Sequence, residues 1–282
     1  MTSRARTDLF WATGFLLGST ATLLLVDPLV GPVGQWVLGL ALSPGPVAWL
    51  WLREDASVRA QTLVALLGTC TVELMATHGL GWWEYRLGNF PGFVPGGHVT
   101  VFLSSLVIAR SLAPRLPHRL MIGATFTVAG LWAAWGLFLS PRLDVFGAFW
   151  FVVMVAASRH AVIGPRIPYV FIVTSFLELT GVHFGVWAYQ PHDVTGLLAI
   201  GNPPSGISGA YAFIDYLALL LAPLILHAWN HRPSLHRRVT WPRQRSAASA
   251  PEHVPTMVQD STAPHAHTAT PEAPADANHP CR

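Results

Sequence analysis

The chain has 282 residues, 52% of them hydrophobic and 11% charged, with no lysine and a formal net charge of +3. A soluble domain carries about a quarter charged residues, so this composition excludes an ordinary water-soluble fold and points to a multi-pass membrane protein. The positive charge is arginine in loops and tail, without a basic face interleaved with aromatics, which argues against nucleic-acid binding.

In chain order, apolar runs of bilayer-spanning length predict eight spans, over 9–27, 33–52, 59–83, 98–114, 120–140, 144–159, 167–189 and 208–229. Arg4 and Arg6 precede the first, which lacks a small-residue cleavage site and reads as a retained span. Turn signals mark most gaps: Asp27-Pro28, Ser43-Pro44-Gly45-Pro46, Pro91 to Gly97, Pro141, Pro165 and Pro203-Pro204. The eight-span count puts Arg4/Arg6, Arg53/Arg59, Arg110/Arg115/Arg119, Arg159/Arg166 and Arg232/Arg237/Arg238 on one side, and only Arg86 and Arg142 on the other. The positive-inside rule then predicts a cell-membrane protein with both termini cytoplasmic. From Ser234 the chain is rich in Pro, Ala, Thr and His, and residues 234–282 read as a disordered tail. Its His253, His265, His267 and His279 are either weak metal ligands or simple low-complexity sequence. Cys70, in a span, and Cys281, in the tail, predict no disulfide.

A duplication runs through the apolar part. Thr69, Glu73, His78 and Trp82 recur as Thr174, Glu178, His183 and Trp187, each offset by 105 residues, in the pattern T-x3-E-L-x3-H-x3-W. A second series is offset by 113: Asn89-x-Pro91-x-x-Val94-x-Gly96-x-His98 against Asn202-x-Pro204-x-x-Ile207-x-Gly209-x-Tyr211, with Asp27-Pro28 against Ser140-Pro141. The change of offset predicts eight extra residues after Tyr189. The expected fold is all-α: a polytopic bundle of about eight transmembrane helices, built from two parallel four-helix repeats over 1–114 and 115–233. Glu73 and Glu178 are then equivalent positions of one composite site.

An acidic side chain within a span marks function by default. Three roles are open for the glutamates: acid-initiated chemistry on an alkene, with one carboxylic acid and one carboxylate; proton or cation relay in a small transporter or channel; or a structural, hydrogen-bonded role. Thr69 and Thr174 share a helix face with their glutamates, and His78 and His183 share one with Trp82 and Trp187. The histidines read as catalytic partners, hydrogen-bonded helix ends, or axial haem ligands. Trp82 and Trp187 are expected to line the cavity, while Trp83, Tyr85 and Tyr189 are equally readable as an interfacial aromatic belt. Asp215, about one turn into the last span, needs a polar partner or a wet cavity. The loop from Gly201 to Gly209 either covers the site or enters a helix with Ser208 as cap. No Walker loop, GxSxG, HExxH or CxxC pair is present, nor an aspartate-rich diphosphate motif.

Glu73-x4-His78-Gly79-x-Gly81-x-x-Glu84-Tyr85, followed by Gly92-Phe93-Val94-Pro95, resembles the bacterial carotenoid-biosynthesis membrane family, which includes acyclic carotenoid hydratases of the bacterioruberin type. The second repeat, Glu178 to Tyr189 with Gly201-Asn202-Pro203-Pro204, is similar more loosely, and looks also like the small membrane lycopene cyclases. His78 stands where that pattern has a small or hydroxyl residue, and Phe93-Val94-Pro95 replaces Gly-Val-Pro. The resemblance implies a lipophilic polyene substrate, cofactor-free and metal-free proton chemistry giving hydration or cyclisation, and Glu73 and Glu178 as the acid/base pair. The candidate site is therefore Glu73, Glu178, His78, His183 and Asp215 for chemistry, with Thr69, Thr174, Trp82, Trp187, Tyr85, Tyr189, Asn89 and Asn202 toward substrate. The expected partners are that substrate and the lipid bilayer, with the oligomeric state open.

Overall fold

The structure, a computed structural model, describes residues 2–230. Expectations for the tail 234–282, its histidines, Cys281 and Arg232, Arg237 and Arg238 lie outside these residues.

Helices form in each of the eight predicted apolar segments, and the breaks fall where local chemistry demands them. α1 (Ser3–Val26) starts at Thr2, whose hydroxyl accepts from the Ala5 amide at 3.2 Å, and ends in a 3-10 turn at Asp27–Leu29. The second segment is two helices, α2 (Pro32–Leu42) and α3 (Pro44–Arg53), because Pro44 has no N–H to continue the ladder. α4 (Ala56–Leu74) is capped by Asp55, which accepts from Val58 at 2.9 Å, and runs into a π-helical turn over Met75–Leu80. α5 (Val94–Leu112) and α8 (Ile167–His183) carry Pro in the first turn, where its missing donor costs nothing. α6 (His118–Phe138), α7 (Val145–Ala157) and α9 (Ser208–Asn230) complete the helices among the described residues.

The fold is mostly helical, in keeping with the all-α expectation, and departs from it only at two span ends. The predicted spans to residues 83 and 189 stop early, at Leu80 and His183, and the chain turns into two short strands, β1 (Trp83–Tyr85) and β2 (Trp187–Tyr189). Gly81 and Gly185, with φ of 60° and 70°, make these exits from the helix in a conformation that penalises a side chain. The strands pair antiparallel, with Trp83 opposite Tyr189, Glu84 opposite Ala188 and Tyr85 opposite Trp187.

At the centre, α4 packs on α9 and α5 on α8, so each half supplies helices to the other. α1, α2 and α3 pack on α5, and α7 on α9. The packing is close at Gly209, where a Cβ would stand 1.9 Å from the Trp150 carbonyl oxygen, and at Gly96, 113 residues earlier, where it would stand 2.3 Å from the Ser43 hydroxyl.

Among the described residues, four helical stretches are long and apolar enough to cross a membrane: Ser3–Leu29, Ala56–Leu80, His118–Phe138 and Ser208–Trp229. Leu25, Leu40, Leu131 and Leu224 lie exposed on the outer surface, which suits lipid rather than water. One end of the bundle gathers buried acids under arginines: Arg110 grips Glu54 at 2.5 and 2.7 Å, and Arg53 reaches Asp8 at 3.7 Å. At the other end Arg86 pairs with fully buried Asp27 at 2.8 Å.

That end is also tied by Asp144. Its Oδ1 accepts from the amides of Gly147 and Gly201, each at 2.8 Å, and its Oδ2 from Ser205 at 2.7 Å. One carboxylate thus caps α7 and fixes both ends of the loop leading into α9.

Candidate functional site

Glu73 lies in the last turn of α4 and Glu178 in α8, both buried. Oε2 of Glu73 accepts from the Trp83 indole at 3.0 Å and the Tyr85 hydroxyl at 2.8 Å, while Oε1 lies 2.9 Å from Nε2 of His98. Oε2 of Glu178 accepts from the Trp187 indole and the Tyr189 hydroxyl, each at 3.0 Å, and Oε1 from the Tyr211 hydroxyl at 3.0 Å. The two sets differ at one corner only, His98 against Tyr211.

The strand pair makes this possible. Residues two apart on a strand face the same way, so Trp83 and Tyr85 both point inward, as do Trp187 and Tyr189, while Glu84 and Ala188 face out. Four donors therefore reach two carboxylates from one ribbon, and the cross-strand pairs bring Trp83 and Tyr189 to 5.4 Å between ring centres and Tyr85 and Trp187 to 6.2 Å. Burial, then the neighbouring Glu73, pushes the Tyr85 phenol well above its ordinary range, so it stays a neutral donor. The Tyr189 strand is held from behind: Arg142 donates to the Tyr189 carbonyl at 2.6 Å, and Asn202 accepts from its amide at 2.9 Å.

Both glutamates line one cavity of about 110 Å³, otherwise walled by apolar side chains such as Leu23, Phe93, Leu177 and Ile207. Thr69, Trp83, Tyr85, Trp187, Tyr189, His98 and Tyr211 also face it. The arrangement offers two acid groups, neutral donors, one imidazole and aromatic faces within a small, mostly apolar volume. It is suited to moving a proton onto and off an apolar molecule, with positive charge stabilised between.

Several predicted site residues stand elsewhere. His78 and His183 are exposed: the first meets Thr77 at 2.6 Å and the second stacks edge-on against Phe184. The helices end or distort at these positions, so His78 and His183 do not join the glutamates. Trp82 does not share a helix face with His78; it lies past the helix, outside the cavity, against Phe146 at 4.9 Å. Thr69 lines the cavity, but its hydroxyl returns to the Ala65 carbonyl at 2.8 Å, and Thr174 bonds Val170 and Ser208 rather than Glu178. Asn89 donates to Gln35 at 2.9 Å, so both asparagines secure loops and neither lines the cavity. Asp215 is buried beside an adjoining pocket of about 10 Å³ that also touches Thr69, His98 and Tyr211, and Arg166 is the cation acting on it. Among the described residues no group of three or more His, Cys, Asp or Glu could hold a metal ion.

Trp83, His98 and Tyr211 are the site residues that the repeat pattern left unassigned. For Trp83 the cause is a one-residue difference between the halves. Between Ala76 and Gly81 stand Thr77, His78, Gly79 and Leu80; between Gly181 and Gly185 stand only Val182, His183 and Phe184. The Ala76 carbonyl accepts from Trp82 at 2.8 Å as the Gly181 carbonyl accepts from Val186 at 2.9 Å. The extra residue is absorbed by the π turn. Beyond it the offset is 104, so the true equivalents are Trp83 with Trp187 and Tyr85 with Tyr189, and nine residues rather than eight enter the loop after Tyr189. The repeated Trp-x-Tyr and the 113-residue pairing of His98 with Tyr211 were the available signals.

In comparisons with known proteins, no family model, no curated protein and no solved structure matches the chain.

Proposed function

We propose that this chain is an integral membrane enzyme that adds a proton to a double bond of a lipophilic acyclic polyene, a carotenoid or related isoprenoid, and completes hydration or cyclisation. In this reading the eight apolar segments are spans forming two parallel four-helix repeats, with both termini cytoplasmic. The observation that carries it is the convergence of Glu73 and Glu178 on one small apolar cavity, each already supplied with three polar contacts.

The one difference between the two sets supports a division of roles. Oε2 of Glu73 is occupied by two fixed donors, but its Oε1 faces His98 Nε2, and either atom of that pair can hold the proton. Glu73 is therefore the acid: its Oε1–H bond breaks as a C–H bond forms at the alkene, leaving a carbocation on the adjacent carbon. After each cycle the proton taken up by Glu178 is passed back to Glu73 by way of His98, so that every group regains its starting state. Glu178 faces three neutral donors, which suits a carboxylate that stays an acceptor and stabilises the cation, helped by the faces of Trp83 and Trp187. In hydration, water adds to the cation and loses a proton to Glu178; in cyclisation, the internal double bond attacks, the charge moves to a ring carbon, and a carbon next to it loses a proton to Glu178 as the ring double bond forms.

Expression in lycopene-accumulating cells, with pigment analysis, tests this. A new hydrated or cyclised pigment is expected, lost in Glu73→Gln and in Glu178→Gln. Unchanged lycopene beside abundant membrane-inserted protein overturns the reading.

A further inference from the structure

A second, mostly apolar cavity of about 50 Å³ adjoins the glutamate cavity, and the two share Leu23, Phe93, Gly97 and Leu177 as walls. It lies between α1, the end of α2, and α5, reaching Leu16 and Ser19 on α1 and Val101 on α5. From Leu23 to Leu16 is seven residues, about 10 Å along the helix axis. The cavity is thus an arm that leaves the carboxylates and runs down the α1–α5 seam.

Small residues open the arm at three of its wall positions, Ser19, Gly97 and Thr100. With the 113-residue offset, Ser19, Gly97 and Thr100 correspond to Trp132, Ala210 and Phe213 in the second half. These three are larger there, whereas Leu16, Thr20, Leu23 and Phe93 on the other walls correspond to the smaller Ala129, Ala133, Gly136 and Gly206. The two halves are therefore alike at the carboxylates and unlike along this seam. Gly97 is the junction: it walls both cavities, and a Cβ built on it meets nothing within 4 Å. Its missing side chain leaves an opening rather than relieving a clash. By contrast, Gly96 beside it is needed for close packing against Ser43.

We infer that the arm is the binding site for the apolar tail of a linear, acyclic hydrocarbon chain whose end lies between Glu73 and Glu178. The glutamate cavity alone accepts only a chain end. The tail passes Gly97 and lies along α1 and α5, and the asymmetry of the halves admits it in one direction, with the tail always in the first repeat. This deepens the proposed reaction and rests on it only for what happens at the glutamates; tail binding is independent of protonation.

The test uses full-length protein in detergent carrying Glu73→Gln, so that binding is read without turnover. Each preparation is incubated with an acyclic C30 hydrocarbon, squalene, or a C10 one, myrcene, repurified, and the retained hydrocarbon quantified by mass spectrometry. Ser19→Phe, which plugs the arm beyond the junction, is expected to reduce squalene retention at least tenfold and leave myrcene retention unchanged. Thr100→Phe, which fills the arm from α5, is expected to act in the same direction and serves if Ser19→Phe does not purify as a monodisperse species. Equal squalene retention in parent and plugged proteins overturns the inference, as does a parent that retains neither probe, and so does loss of both probes together. If the pigment test fails while plugging still removes squalene selectively, the reaction is wrong and the tail site stands.

Discussion

His98 and Tyr211 approach the two glutamates from the first turns of α5 and α9, at 2.9 and 3.0 Å, as equivalent corners of a duplicated site. Their rings are 6.0 Å apart between centres, so this is one site with one unlike corner. His98→Tyr keeps a donor to Glu73 but removes the group that exchanges a proton with it. The expected result is a loss of roughly 10²-fold or more in turnover, the usual contribution of a placed acid or base, with squalene retention within about two-fold of the parent. Tyr211→Phe should cost less, roughly 10- to 100-fold, since it removes one hydrogen bond to a carboxylate. Comparable losses in the two variants would remove the assignment of Glu73 as acid.

The neighbouring tryptophans should separate cleanly. Trp83→Phe deletes the indole donor to Glu73 and is expected to lower turnover by roughly 10- to 100-fold. Trp82→Phe, outside the cavity, should stay within about two-fold, as should His78→Ala and His183→Ala at their exposed positions. Pigment yield normalised to membrane protein gives the comparison.

Deleting Gly79 is expected to be tolerated. It would turn Thr77-His78-Gly79-Leu80 into a three-residue connection like Val182-His183-Phe184 and restore ordinary α-helical geometry before Gly81. Deleting Thr71, before Glu73, rotates the glutamate about 100° off the cavity and should abolish product. Product from the first deletion and none from the second is the expected pair, read by pigment analysis.

Asp144→Ala should cost stability rather than chemistry. It strips three backbone amides of a buried acceptor, a loss of about 3 kcal/mol or more, and for a body of this size a fall in Tm of roughly 6–12 °C. Thermal unfolding of the solubilised protein, followed by tryptophan emission, measures it.

Much of the helical framework was readable from apolar run length and from Pro and Gly at the breaks, and the glutamates from their cost in an apolar run. Three features were not. A π turn preserves hydrophobic pattern and composition, so the sequence pairs Trp82 with Trp187 at offset 105 where the structure pairs Trp83 with it at 104. The strands are three residues each, too short for alternation to outweigh the helical pattern before them, so His78 and His183 were given a face they do not have. The roles of His98 and Tyr211 depend on α5 and α9 meeting α4 and α8, which no local pattern in either helix encodes.

The ribbon of β1 and β2 takes one edge from each half and supplies both glutamates at once. A half produced alone would display an unpaired strand and an acid with no facing partner. Two halves made as separate polypeptides, divided in the Ala113–Pro117 turn, carry complementary edges and interleaving helices. Co-translated in one membrane, they should find each other and rebuild the paired glutamate site, with the ribbon as the fastener.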